Sequence, residues 1–288
     1  MNRSAWTAAI ERHRRKLEPI LEPHLARRSR GENDPVMDFL FEYYAFPPSR
    51  LRRWSPGLGT ALADADPEGE VLPDAELFEE VPGTGWALDP DAFPKDRLDA
   101  ARWIRRLLAN TDAEEPFFGC HGLHEWAMVY RADSVRHEDV PLRLTPDERE
   151  RLVEEEALVC SHFDAFRFFT EEARPMNRTR PQRSEMPELE QPGCLHTNMD
   201  CYRWAFKFYP WIPSDVIADA FVSACRIRVI DMRASPYDLR AFGLEPIRVE
   251  TEEGRAEYRR LQRKMAREVE PIRKRLLEAY DRMLEVVG

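Results

Sequence analysis

The chain has 288 residues, 43% hydrophobic and 33% charged, long and apolar enough to bury a substantial core and too apolar to be disordered. A net charge of −10 and a pI of about 5.4 argue against a typical nucleic-acid binder, because phosphate binding needs clustered Lys and Arg. No apolar run reaches the ~18 residues of a membrane span, and the opening MNRSAWTAAIERHRRKLEPI lacks the apolar stretch of a secretory signal.

Along the chain, residues 4–29 read as a basic amphipathic helix whose second half Pro19 and Pro23 should break. Residues 1–30 hold eight Arg and Lys against three acids, so a local basic face is compatible with the acidic total. Residues 35–46, PVMDFLFEYYAF, read as a buried aromatic helix, followed by the basic turn SRLRRWSPGLG. Residues 60–90 hold nine acids and no base, with several Pro and Gly, and read as a long surface excursion.

Residues 91–110 give a helix with Leu98, Ala101, Ile104, Leu107 and Leu108 on one face. Thr145-Pro146-Asp147-Glu148 is an N-cap, a proline at the first helical position and a capping-box Glu, so a helix starts there. The stretch 157–169, ALVCSHFDAFRFF, alternates as a strand or hairpin arm would. Residues 172–193 read as a loop. Helices are expected at 195–209, at 214–232 with Ser214 as N-cap, and at about 252–286 with Pro271 inside. The fold class is therefore mainly α, with a small β element and an α+β arrangement left open. No composition break divides residues 1–288, so a single domain is expected. The five cysteines, Cys120, Cys160, Cys194, Cys201 and Cys225, form no CxxC pair. They point to reduced, mostly buried thiols in a cytoplasmic protein.

Three stretches carry candidate chemistry. In FFGCHGLHEWAMVYR, His121 and His124 are three apart and Glu125 follows. This is not HExxH, whose Glu lies between histidines four apart. His124 is a site histidine with a neighbouring acid, or a core histidine beside Trp126. In CSHFDAFRFF, a strand would put His162, Asp164, Phe166 and Phe168 on one face, as a pocket wall or as the wet face of an edge strand. In CLHTNMDCYRWAFKFYPW, a helix puts His196 and Asp200 one turn apart, beside Tyr202 and Trp204, where a local hydrogen bond would also explain the pair. A fourth run, RVIDMRASPYDLRAF, puts Asp231, Arg233, Tyr237 and Asp238 near a helix start, where it could supply a carboxylate or an anion site, and reads first as an internal ion-pair network with a capped turn.

The motifs PHLARRSRG, DFLFEYYAF, RRWSPG, GLHEWAMVYR, CSHFDAFRFFT, CLHTNMDCYRWAFK and DMRASPYDL together resemble a bacterial family commonly named 3-methyladenine DNA glycosylase. The resemblance covers nearly the whole chain. It implies a hydrolase (a glycosidase) in DNA repair that acts on an alkylated purine, with damaged DNA or a modified nucleobase as partner. Such an enzyme flips the base out, stacks it on aromatic walls and cleaves the N-glycosidic bond beside a carboxylate. On that reading Asp164 or Asp200 is the acid, with His124, His162 or His196 assisting. Trp126, Phe166, Phe168, Tyr202 and Trp204 supply the walls, and Arg50, Arg52 and Arg53 hold phosphates. No cofactor is then expected. Ser55–Ala61 looks superficially like a phosphate-binding helical hairpin, but Asp64, Asp66, Glu68 and Glu70 follow at once, so that fold is not assigned. The alternatives are a helical metalloenzyme of non-haem iron type, with iron, manganese or zinc on His124, Glu125, His162, His196 and Asp200, or a non-catalytic protein that binds a small molecule.

Overall fold

The computed structural model describes residues 1–66 and 74–288. It is mainly helical, as the sequence pattern requires, with one two-stranded antiparallel sheet among the described residues. The first elements are α1 (Arg3–Ser29), α2 (Asp38–Glu42), α3 (Pro48–Leu51), β1 (Phe78–Val81), β2 (Gly85–Leu88) and α4 (Leu98–Ala113). Then come α5 (Leu123–Ala127), α6 (Pro146–Glu155), α7 (Phe163–Phe166) and α8 (Met186–Leu189). Three long helices complete the chain: α9 (Leu195–Lys207), α10 (Ser214–Ala234) and α11 (Glu252–Val287).

The chain forms two compact units. One comprises Met1–Leu108, Asp200–Cys225 and Pro271–Gly288, the other Ala109–Met199 and Arg226–Glu270. Each is assembled from distant segments, so no linker in the sequence marks where one ends.

In the first unit, Asn2 caps α1 by accepting from the Ala5 N–H at 2.9 Å. Trp6, His13, Leu17, Leu21 and His24 form the buried stripe of α1. The helix runs through Pro19 and Pro23 instead of breaking. Both prolines are exposed, so the carbonyls they leave unbonded face water, and the buried stripe holds the helix on either side. Residues 35–46 are helical only over α2. Asp34 Oδ1 accepts from Val36 and Met37 N–H at 2.9 and 3.0 Å, which uses the entry as a turn, and Ala45 at φ 55° closes the segment. The acidic segment 60–90 is more than a surface excursion, because the β1–β2 hairpin lies within it and Leu62 bridges Trp86. The part of that segment at 67–73 lies outside the described residues. Ser214 opens α10, and its hydroxyl accepts from Ser55 N–H at 2.8 Å. Aromatic contacts fill the unit's interior, with Phe46 stacked on Phe206 at 4.4 Å and Tyr202 tilted against Phe221 at 5.0 Å between ring centroids. Each such buried ring contributes roughly 1.5–3 kcal/mol.

In the second unit, α6 carries the expected capping box between Thr145 and Glu148. The expected strand at 157–169 is not there. His162 caps the short helix α7, its Nδ1 accepting from Ala165 N–H at 3.2 Å. A helix of four residues leaves no period in a sequence, so the alternation of His, Asp and Phe was free to mimic a strand.

His137 packs edge-on to Tyr237, ring centroids 5.0 Å apart. Burial, then the nearby charges of Arg228 and Arg136, push its pKa down to about 4. The unfolded chain takes up this proton near pH 6.5 and the folded protein only near 4, so stability falls as pH drops through that window. His124, whose pKa is raised, stays protonated in the folded protein, and its opposing contribution ends once the unfolded chain is protonated, below about pH 6. His196, held down at about 3, adds to the fall. We expect the melting temperature to fall between pH 6.5 and 4.5, and His137→Gln to flatten the slope. Equal slopes in circular-dichroism melts of the two proteins would refute this.

Candidate functional site

The second unit gathers four potential ligand-bearing side chains from three helices. His121 (φ 47°) and Gly122 (φ 76°) are successive left-handed residues that turn the chain into α5. That five-residue helix is buried along its length and presents His124 and Glu125. The first turn of α9 presents His196. In α10, Arg228 and Asp231 lie three residues apart and so share a face.

These groups converge. His124 Nε2 lies 3.0 Å from Asp231 Oδ1, and His196 Nε2 lies 3.8 Å from Asp231 Oδ2. One ligand atom from each of His124, Glu125, His196 and Asp231 falls within 4.8 Å of all the others. Arg228 Nη1 bridges the two acids, at 3.0 Å from Asp231 Oδ2 and 3.3 Å from Glu125 Oε1. The rings of His124 and His196 meet edge to face at 4.5 Å, and His162 stacks on His196 at 5.4 Å. Because His162 Nδ1 accepts from the backbone, Nε2 carries its proton, and Nε2 lies 3.6 Å from Glu190 Oε1, beyond hydrogen-bond reach.

The electrostatics follow from burial and proximity. Burial alone would lower the His124 pKa, but the Asp231 carboxylate outweighs it and raises the value to about 10. Burial, with the nearby cations, holds His196 down at about 3 despite Asp231, so its ring is neutral. Burial would raise Asp231, yet the histidines and Arg228 hold it far below the ordinary carboxylate range. Glu125 is raised, by burial first and then by Asp231. Beside the cluster, Cys120 Sγ accepts from Gln262 Nε2 at 3.2 Å. Burial works against its ionisation, but the His124 hydrogen bond and charge lower its pKa overall.

The structure thus brings together His124, Glu125 and His196, with His162 next to them. Asp231, which the sequence offers as a carboxylate but reads first as part of an ion-pair network, completes the environment with Arg228 and Glu190, which sequence reasoning misses. The signal was present in part, since Arg228 and Asp231 stand one turn apart in the apolar run RVIDM. The other candidates lie elsewhere. Asp200 belongs to the first unit, where it accepts from the Tyr44 hydroxyl at 2.6 Å and faces Arg203 at 3.3 Å. It does not pair with His196. Asp164 is buried in α7 and paired with Arg167 at 3.1 Å. Trp126 is fully buried, its indole N–H donating to Ala234 O at 2.9 Å. Tyr202 and Trp204 are buried in the first unit, Phe166 is half-buried, and Phe168 is exposed under Arg167. Arg52 pairs with Glu18 at 2.7 Å, and Arg53 and Arg50 face Asp74 at 3.2 and 3.9 Å.

Comparison with known proteins finds no matching family model, no matching curated protein and no matching solved structure.

Proposed function

We propose that the second unit holds a mononuclear divalent transition-metal centre on His124, His196, Asp231 and Glu125, and that the protein is a metal-dependent enzyme of non-haem iron type. The carrying observation is the convergence of two imidazoles and two carboxylates within 4.8 Å. Two histidines with carboxylate oxygens suit iron(II), manganese(II) or zinc, and two histidines with one carboxylate leave open positions on iron(II). An internal ion-pair network accounts for Arg228, Asp231 and a protonated His124. It gives no reason for His196, a neutral, nine-tenths buried imidazole facing the same carboxylate. Arg228 balances the acids when no metal is bound, and His124 must shed its proton to become a ligand.

The test is elemental analysis after anaerobic loading with iron(II), manganese(II) or zinc. We expect one ion per chain, a higher melting temperature than in the presence of chelator, and loss of both in His196→Ala. That variant removes a neutral ring, so its fold should survive to be measured. A chain that takes up no metal, or a His196→Ala variant that binds as the parent does, removes the proposal. Methylated DNA supplies the second arm. Release of free base that continues in chelator would favour the N-glycosidic hydrolase implied by the sequence resemblance.

A further inference from the structure

The first unit contains a cavity of about 570 Å³, within the roughly 300–1,000 Å³ of small-molecule sites. Its walls are aromatic. Phe46 stacks on Phe206 at 4.4 Å, Phe206 stacks on Tyr209 at 5.6 Å with their planes 15° apart, and Trp211 also lines the space. Its charges are all of one sign, because Arg50, Arg97 and Lys207 line it and none of the described lining residues is acidic.

The two arginines are placed differently. Arg97 is fixed, with its guanidinium 4.5 Å over the Phe208 ring and one N–H donating to Lys207 O at 2.9 Å. A guanidinium has five N–H donors, so this bond leaves others for a ligand. Arg50 lies over the Tyr209 ring at 5.7 Å and meets Asp74 only at 3.9 Å, beyond hydrogen-bond reach. Tyr209 gives a third, independent sign. The residue is 8% exposed, and its hydroxyl is buried without a hydrogen-bond partner. A buried hydroxyl left unmatched costs free energy that an acceptor on a ligand would recover.

We propose that this cavity binds a small flat aromatic carboxylate, with its ring against Phe46, Phe206 and Tyr209 and its carboxylate held by Arg97 and Arg50. Aromatic walls favour a flat apolar body, and guanidinium donors select a carboxylate. The site is separate from the metal centre and does not depend on it.

Isothermal titration of the full chain with 2-naphthoate, in the presence of chelator, tests the proposal. We expect saturable binding at one site per chain, with the uncharged 2-naphthol binding at least about tenfold more weakly. Arg97→Met and Arg50→Gln should each weaken 2-naphthoate about tenfold, and Tyr209→Phe by about fivefold. Should Arg97→Met fail to fold, Arg50→Gln carries the test, because that side chain is half exposed. No binding of 2-naphthoate, equal affinity for 2-naphthol, or parental affinity in Arg50→Gln overturns the proposal. So does tight binding of adenosine monophosphate where 2-naphthoate does not bind.

Discussion

At the proposed metal centre, Asp231→Asn is expected to abolish metal uptake; whether or not a metal binds, it is expected to cost about 3–5 kcal/mol of stability, the usual penalty for removing one partner from a buried charge pair. Asp231 is 1% exposed and lies 3.0 Å from both His124 Nε2 and Arg228 Nη1. It is the anion that holds the His124 proton, raising that pKa to about 10. An amide keeps the shape and loses the charge, leaving the buried cations of Arg228 and His124 with Glu125, 3.3 Å from Arg228 Nη1, as the remaining acid of the cluster. The melting temperature should fall on the order of 10 °C. Asp200→Asn is the matched control. That carboxylate is as deeply buried and accepts from Tyr44 at 2.6 Å, so stability should also drop, but metal stoichiometry should stay at the parental value. If Asp231→Asn still binds one metal ion, Asp231 is a structural anion and no ligand.

Long, regular elements were legible because local chemistry decides them. The Thr145 capping box and the stripe Ala101, Ile104, Leu107, Leu108 each specify a helix within a few residues, and α6 and α4 appear where that chemistry places them. Residues 157–169 misled because the deciding contact is one side chain capping its own backbone, His162 Nδ1 to Ala165 N–H. No alternation rule registers such a bond. The prolines of α1 misled because their cost depends on which face they occupy, and that face is fixed only when the helix packs. At the site, His124 and His196 stood out through acids and aromatics close in sequence. Asp231 reads first as part of an ion-pair network, since nothing local ties it to His124, 107 positions away. An acid within an apolar helix looks the same from sequence whether it closes an ion pair or a metal centre. Asp200 drew attention through its spacing from His196, yet its hydrogen-bond partner, Tyr44, comes from 156 positions away. Local spacing can nominate a carboxylate, but long-range packing decides what it meets.

On the proposed metal centre, Gly122→Ala is expected to lower both stability and metal affinity, whereas Gly243→Ala is expected to lower stability alone. The two glycines share nearly the same backbone, φ 76° and 74°. Forcing alanine into that left-handed region costs roughly 1 kcal/mol at either position. They differ in their surroundings. A Cβ at Gly243 meets nothing within 4 Å, while one at Gly122 lies 3.1 Å from both Ala234 Cβ and Tyr258 Cε2. Neither neighbour can swing aside, because one is a methyl on α10 and the other a fully buried ring. Overpacking of that kind adds about 1–3 kcal/mol. The relief available is a shift of α5, which begins at the next residue and carries His124 and Glu125. The proposed centre draws on those two side chains, whose ligand atoms lie within 4.8 Å of those of His196 and Asp231, and a ligand displaced by a few tenths of an ångström would be outside metal-ligand tolerance. Melting curves and metal titrations of the two variants therefore separate backbone strain, common to both, from displacement of the centre, specific to Gly122. Equal metal affinity in the two variants would mean that the position of α5 does not set the geometry of the centre.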